Sequence, residues 1–218
     1  MIEYILNLIY PPKCGICGNT SKEFLCNKCK LKLKEYELKN KKIKVLSKNK
    51  ERYIDEIYSI FEYKELIREL ILNYKFNNKP YLYKTFSKII LNNEKICGFL
   101  KSYDIIIPVP IHKKKRRKRG YNQTELIAKE ITKKLDIKVE SNVLIKKINT
   151  RSQSELSKSD RKNNIKGVFN VIKQERIINK NIIIFDDIYT TGSTVLECAK
   201  ILKEAGANKI GVLAIAKD

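Results

Sequence analysis

Two adjacent carboxylates close the apolar run Ile182-Ile183-Ile184-Phe185-Asp186-Asp187. The chain then passes through Ile188-Tyr189 into Thr190-Thr191-Gly192-Ser193-Thr194. Neighbouring acids repel and Asp is poor in strands, so a buried strand ending this way needs a reason. Small hydroxyl residues around a glycine leave backbone N–H groups open to an anion, and a helix starting there adds the positive end of its dipole. One ligand carrying vicinal hydroxyls and a phosphate reconciles the two. Asp186 and Asp187 would accept from a sugar, while Thr190, Thr191, Gly192, Ser193 and Thr194 cradle a monophosphate. The alternative is an ordinary helix N-terminus beside solvated acids. Neither a P-loop nor a G-x-G-x-x-G pattern occurs in the sequence.

A second constellation is Cys14-Gly-Ile-Cys17 and Cys26-Asn-Lys-Cys29, with eight residues between the pairs. Two C-x-x-C knuckles supply the four thiolates of a closed tetrahedral zinc site, structural because no coordination position is left for substrate. A pair of disulfides is the alternative, disfavoured in a reducing cytosol. Cys97 and Cys198 stand alone among apolar neighbours and read as small buried residues.

The third feature is seven consecutive bases: Lys113, Lys114, Lys115, Arg116, Arg117, Lys118 and Arg119. Seven like charges repel unless an anion is near, which points to nucleic acid; a solvated face is the other reading. The whole chain has a net charge of +22 and pI near 9.7, a field that attracts polyanions and phosphorylated metabolites. An AT-biased genome, rich in Lys, Asn and Ile codons, would also produce it. Tyr103 and Tyr121 flank the run and could stack on bases or pack in the core. His112, the only histidine, could contact substrate or serve a local hydrogen bond.

Elements must hold these groups together. The 218 residues, 43% hydrophobic, suffice for one domain and a small appendage. Residues 1–50 read as an N-terminal amphipathic helix, the knuckle module and a basic helix or linker; residues 51–218 read as the main domain. Ile57–Tyr63, Asp104–Pro110, Ser141–Ile148, Asn181–Asp187 and Lys209–Lys217 predict strands. Glu65–Phe76, Tyr81–Asn93, Gly120–Asp136 (capped by Asn122 with Glu125) and Glu197–Gly206 predict helices. Apolar strands alternating with helices predict an α/β fold, a parallel sheet covered on both faces. Ligands bind at the carboxyl edge of such a sheet. No stretch reaches the roughly 18 apolar residues of a membrane span, and no secretory signal is evident, so a cytoplasmic protein is expected.

The loop IIIFDDIYTTGST resembles the phosphoribosyl pyrophosphate (PRPP) loop of type I phosphoribosyltransferases. CGIC…CNKC, YKF at Tyr74–Phe76, PVPIHKKKRRKRGYNQTELIAK and TRSQSELSKSDRKNNIKGVF are similar to ComF/ComFC-type competence proteins. The family usually has Gly where Asn78 stands here. The resemblance implies a type I phosphoribosyltransferase fold with a small four-cysteine zinc module. It further implies pyrophosphate binding near Val109 and Pro110, and a mobile loop over 150–164 in which Arg151 and Arg161 are the catalytic candidates. The reaction implied is displacement at the ribose anomeric carbon, with Mg2+ on the pyrophosphate. PRPP or a ribose-phosphate nucleotide is the implied ligand, single-stranded DNA a partner, and a competence helicase a candidate partner. A DNA-binding protein that uses PRPP or a nucleotide only as a regulatory ligand is the alternative.

Overall fold

The computed structural model describes residues 11–39, the backbone of 42–44, and residues 53–150 and 164–218. The expected N-terminal helix, residues 40–41 and 45–52 of the basic linker, and both Arg151 and Arg161 lie outside them.

Alternation along the strands builds the architecture. Six strands pair in the order β1 (Lys42–Lys44), β2 (Glu56–Glu62), β8 (Lys209–Lys217), β7 (Asn181–Tyr189), β3 (Ile105–Pro108) and β4 (Lys138–Val139). All are parallel except β1, which runs antiparallel to β2. On one face Tyr58, Ile60, Ile106, Ile183, Phe185, Leu213 and Ile215 enter one core; on the other Ile57, Ile105, Ile107, Ile182, Ile184, Val212 and Ala214 enter a second. The period of two is that of a sheet buried on both sides.

The first face is covered by α2 (Glu65–Phe76), α3 (Leu82–Leu91), α4 (Glu94–Lys101) and α6 (Gln123–Ile131). The second is covered by α7 (Ser193–Glu204) and by a two-stranded antiparallel ribbon of β5 (Leu144–Lys146) and β6 (Phe169–Val171). The strand expected over Ser141–Ile148 therefore forms only as the short β5, and outside the main sheet. The basic segment after the knuckles is more than a linker, since it contains the edge strand β1. The run of seven bases folds as a helix of its own, α5 (Lys113–Arg119). It is capped by the His112 side chain, which accepts from the Lys114 N–H at 3.3 Å, and ends at Gly120, φ +85°. A left-handed residue there closes the helix at little cost only because it is glycine.

The chain order creates a crevice. From β3 the chain goes outward to β4 by way of α5 and then α6, the latter packed on the first face. From β7 it goes inward to β8 by way of α7 on the second face. The carboxyl ends of β3 and β7 lie side by side, with Pro108 in register with Phe185. Because their connections diverge, a topological switch point opens between them, the place where open parallel sheets bind ligands.

The cysteine knuckles sit on the first face. Cys14, Leu25, Cys29 and Leu33, the last two on α1 (Asn27–Leu33), belong to the same core as Leu82 and Phe86 of α3. The Thr85 hydroxyl donates to the Phe24 carbonyl at 2.9 Å, and Lys88 pairs with Glu23 at 2.7 Å. A side chain at Gly15 would strike Thr85 and come within 2.8 Å of Leu82.

Candidate functional site

A cleft of about 1070 Å³ occupies the switch point. Asp186, Asp187, Thr190 and Thr194 line it from the β7 side, and Val109 to His112 from the turn after β3. Lys75 and Phe76 contribute from α2, Lys115, Lys118 and Arg119 from α5, Gln123 from α6, and Lys146 from β5. Carboxylates and cations therefore meet in one cavity.

The two aspartates are not equivalent. β7 runs on to Tyr189, so both belong to the strand and face different neighbours. Asp187 is 5% exposed; its Oδ2 accepts from Lys75 Nζ at 2.8 Å and from Gln123 Nε2 at 2.8 Å. Burial alone would raise this carboxyl, but Lys75, Gln123 and Arg119 outweigh it and hold it below its ordinary range. Asp186 is half-buried, and its Oδ1 accepts the Asp187 N–H at 2.9 Å. Burial and the neighbouring Asp187 charge push it up to about 7. One acid is thus held ionised, while the other titrates near neutrality and can accept or give a proton.

The expected phosphate loop forms a tight turn. Gly192, at φ +73°, is the N-cap of α7, and a Cβ there would come within 2.6 Å of the Tyr189 hydroxyl. Thr191 Oγ1 lies 2.8 Å from Ser193 Oγ and accepts from the Ser193 N–H at 3.4 Å. A 12-residue helix starts here, and the first N–H groups of a helix have no partner inside it. Thr190, Gly192, Ser193 and Thr194 line a small recess beside Asp186.

At the opposite wall, the Val109 N–H is spent on the Phe185 carbonyl at 2.9 Å. Its carbonyl accepts from Asn122 Nδ2 at 3.0 Å, and Pro110 has no N–H. Asn122 caps α6 as expected, accepting from the Thr124 N–H at 3.2 Å. Glu125, however, does not complete a capping box: it turns to Lys129 at 2.6 Å and Arg116 at 3.1 Å. His112 is buried; its Nδ1 accepts the Lys114 N–H. Burial and flanking lysines lower it, so it is neutral with Nε2–H left as a donor.

The YKF motif acquires a reason residue by residue. Tyr74 is buried, stacks on Tyr121 with centroids 5.4 Å apart, and donates to the Gln123 carbonyl at 2.9 Å. Lys75 pairs with Asp187. Phe76 stays 60% exposed in the cleft wall, with the Arg119 guanidinium 5.4 Å over its ring. Asn78 takes φ +49°, a left-handed conformation that Gly adopts freely and Asn tolerates better than most residues. Tyr103 and Tyr121 are both core residues, 5% and 9% exposed, leaving neither free to stack on a base.

The seven bases divide. Lys115, Lys118 and Arg119 line the cleft, Arg116 pairs with Glu125, and Lys113, Lys114 and Arg117 are exposed on the outside. Sequence reasoning missed Lys75, Gln123 and Lys146 as cleft residues. Nothing local marks them for the cleft, since Lys75 and Gln123 meet Asp187, and Lys146 meets Phe169, across long stretches of chain.

The four knuckle sulfurs all lie within 4.8 Å of one another, and those of Cys17 and Cys26 are 3.9 Å apart. That is too far for a disulfide, and all four are free thiols. A tetrahedron with Zn–S near 2.3 Å has sulfurs about 3.8 Å apart, so the donor set fits a metal ion. Burial would raise the Cys14 thiol, but backbone N–H groups of Cys26, Cys17 and Ile16 bring it down to about 7. Burial and the neighbouring thiols push Cys29 up, so in the metal-free cluster one thiol gives up its proton and another keeps it.

This combination of sheet order, switch-point cleft and loop defines a phosphoribosyltransferase fold. The phosphoribosyl transferase domain family matches residues 123–218. Within that class, the chain is similar to the ComF/ComFC-type competence proteins. It is 29% identical over 212 residues to Competence protein F of Haemophilus influenzae, covering 94% of this chain and 85% of that one. It is 29% identical over 160 residues to Competence protein ComFC of Streptococcus pneumoniae, with 73% and 67% covered. DNA utilization protein YhgH of Escherichia coli K12 is 28% identical over 160 residues, with 72% and 69% covered. Among the described residues no helix is long and apolar enough to cross a membrane.

Proposed function

We propose that this chain binds PRPP in the switch-point cleft and transfers its ribose phosphate to an acceptor during the cytoplasmic handling of incoming DNA. The observation that carries the reading is the convergence, in one cavity, of the Asp186–Asp187 pair, the turn at Gly192 and a ring of cations. In this reading Asp186 accepts from ribose hydroxyls, while Asp187 fixes Lys75 and Gln123 behind it. The loop from Thr190 to Thr194 takes the 5′-phosphate. At the β3 turn the Val109 and Pro110 backbone has no free donor, so the diphosphate draws its contacts from beyond Pro110 and from the cations of α5. Arg151 and Arg161 remain the candidates for closing over it. Carboxylate oxygen of Asp186 and diphosphate oxygens suit Mg2+, which would neutralise the departing charge. Displacement at the anomeric carbon asks the protein mainly for position and charge stabilisation, and the described site offers both.

The knuckle module holds structural Zn2+ in this reading. DNA handling is supported by the names of the relatives and by the outward cations Lys113, Lys114 and Arg117. A purely DNA-binding protein with PRPP as regulator is the competing reading, favoured by that same exposed row. Titration calorimetry with Mg2+–PRPP separates ligand binding from its absence. The native chain is expected to bind, and Asp186→Asn/Asp187→Asn to lose binding. A native protein that neither binds PRPP nor releases pyrophosphate from it would leave only the DNA reading.

A further inference from the structure

Phe76 ends α2 with its side chain in the cleft wall and 60% of the residue exposed. The same helix buries Ile67, Leu70, Ile71 and Tyr74, so this ring is not left in water for want of a core. Leu72, one turn earlier on α2, lines the same wall. Part of the ring is already engaged. The Arg119 guanidinium stands 5.4 Å from its centroid and donates to the Gln123 side chain, which fixes it there. Among the described residues the exposed aromatic side chains are Phe76 and Tyr81, and of the two only Phe76 lines the cleft.

The half-buried lysines of the cleft are committed or weakened. Lys75 pairs with Asp187, Lys115 donates to the Thr150 carbonyl at 3.0 Å, and burial, then Lys115, lowers Lys146 to about 8. Lys118 differs: it is exposed and yet lines the cleft, so it stands at the mouth. Lys114, four residues earlier, shares its ridge of α5 and lies exposed outside, as does Arg117. A cationic track therefore runs from the outer surface to the edge of the wall that holds Phe76. At the start of that wall, Arg68 lies about 12 Å along α2 from Phe76 and shares the surroundings of Tyr63 with Asp218. That carboxylate leaves the α5 end as the one that favours phosphate.

We propose that Phe76, backed by Leu72, is a stacking platform for one base of a single strand of DNA, whose backbone runs from Lys118 at the mouth onto Lys114 and Arg117 outside. The proposal rests on the DNA-handling part of the proposed function and adds a seat for the base. A ring beside a cationic track is the arrangement that holds single strands, because every base has a flat face and every linkage a charge. Paired bases in a duplex are stacked on one another and cannot reach a ring in a cavity wall; an unpaired base can. The half-buried side of α5 stays with the ribose-phosphate ligand, so strand and ligand meet in one cavity.

The test is fluorescence anisotropy on the full chain, with labelled oligothymidylate and an abasic strand of the same length as separate probes. The two strands carry the same phosphates and differ only in their bases. Native protein is expected to bind oligothymidylate at least about fivefold more tightly than the abasic strand. Phe76→Ala should bind both equally, while Phe76→Tyr, which keeps a ring, should retain the preference. The salt slope should be the same in native protein and Phe76→Ala, since the ring carries no charge, and should fall by about 0.7 in Lys118→Gln for either strand. Equal binding of the two strands by native protein, or a preference that survives Phe76→Ala or is lost in Phe76→Tyr, would overturn the platform and leave DNA binding through the backbone standing. An unchanged slope in Lys118→Gln would overturn the track through the mouth. Binding of neither strand by native protein would remove the DNA reading together with the platform.

Discussion

Lys75 and Asp187 set the resting charge of the cleft. Both side chains are under 20% exposed, and a buried carboxylate stripped of its cation is costly. Lys75→Met is expected to destabilise the fold by about 2–3 kcal/mol at pH 7, less than a full orphaned charge because Gln123 and Arg119 remain. Urea unfolding measures it. The Asp187 carboxyl is held below its ordinary value, so its contribution is complete above that value and disappears as pH falls through the folded one. The Lys75→Met penalty should therefore shrink in acid. Lys146 has the opposite balance. Its folded value of about 8 lies under the ordinary 10.5, so charging it costs stability below about pH 8, and that cost fades as pH rises towards 10.5. Lys146→Met should therefore raise stability at pH 7, on the order of 1–2 kcal/mol after discount for partial exposure. Of these groups the sequence made only the acids legible, because a pair of carboxylates ending an apolar run breaks a local rule. Lys75 and Lys146 break no rule visible among so many lysines; register and topology alone turn them inward.

At the scale of elements, the strands β3, β7 and β8 and the helices α2, α3, α6 and α7 were legible from apolar periodicity. The loop after β7 was legible from its composition. What escaped was partnership: β5 leaves the main sheet for β6, and β1 emerges from a lysine-rich stretch in which the alternation of Ile43 and Val45 with lysines is too short to stand out. Gly192 links element to site. Gly192→Ala meets both a left-handed φ and the Tyr189 hydroxyl, and should cost about 1–3 kcal/mol. Its effect on PRPP affinity should exceed that of Gly120→Ala, which has open space around its Cβ; thermal unfolding and calorimetry report the two quantities. Helix α5 explains why a run of bases resists reading as one feature. Helical spacing sends Lys115, Lys118 and Arg119 to the cleft and leaves Lys113, Lys114 and Arg117 outside. Replacing those outer three by Glu is expected to reduce the salt slope of single-stranded DNA binding by about 2, at 0.7 per phosphate contact. PRPP affinity should be nearly unaffected. An unchanged slope would assign the outer charge to composition alone.

For the whole molecule, the boundary near residue 50 divides the sequence more sharply than it divides the core. Cys14 and Cys29 share one apolar cluster with α3, and α3 packs on α6, which carries Gln123 to Asp187. Cys14→Ser, or chelation of the native protein, is expected to lower the melting temperature and weaken PRPP binding together, with metal content falling in parallel. A variant that kept full metal occupancy would remove Cys14 from the ligand set. The close seat of Gly15 against Leu82 and Thr85 has a consequence beyond the test tube. If the knuckles take a metal, a chain translated during metal scarcity is expected to expose the apolar side of α3 and be degraded, so that copies per cell fall with the metal supply; protein abundance in metal-depleted cells, against Cys14→Ser, checks it.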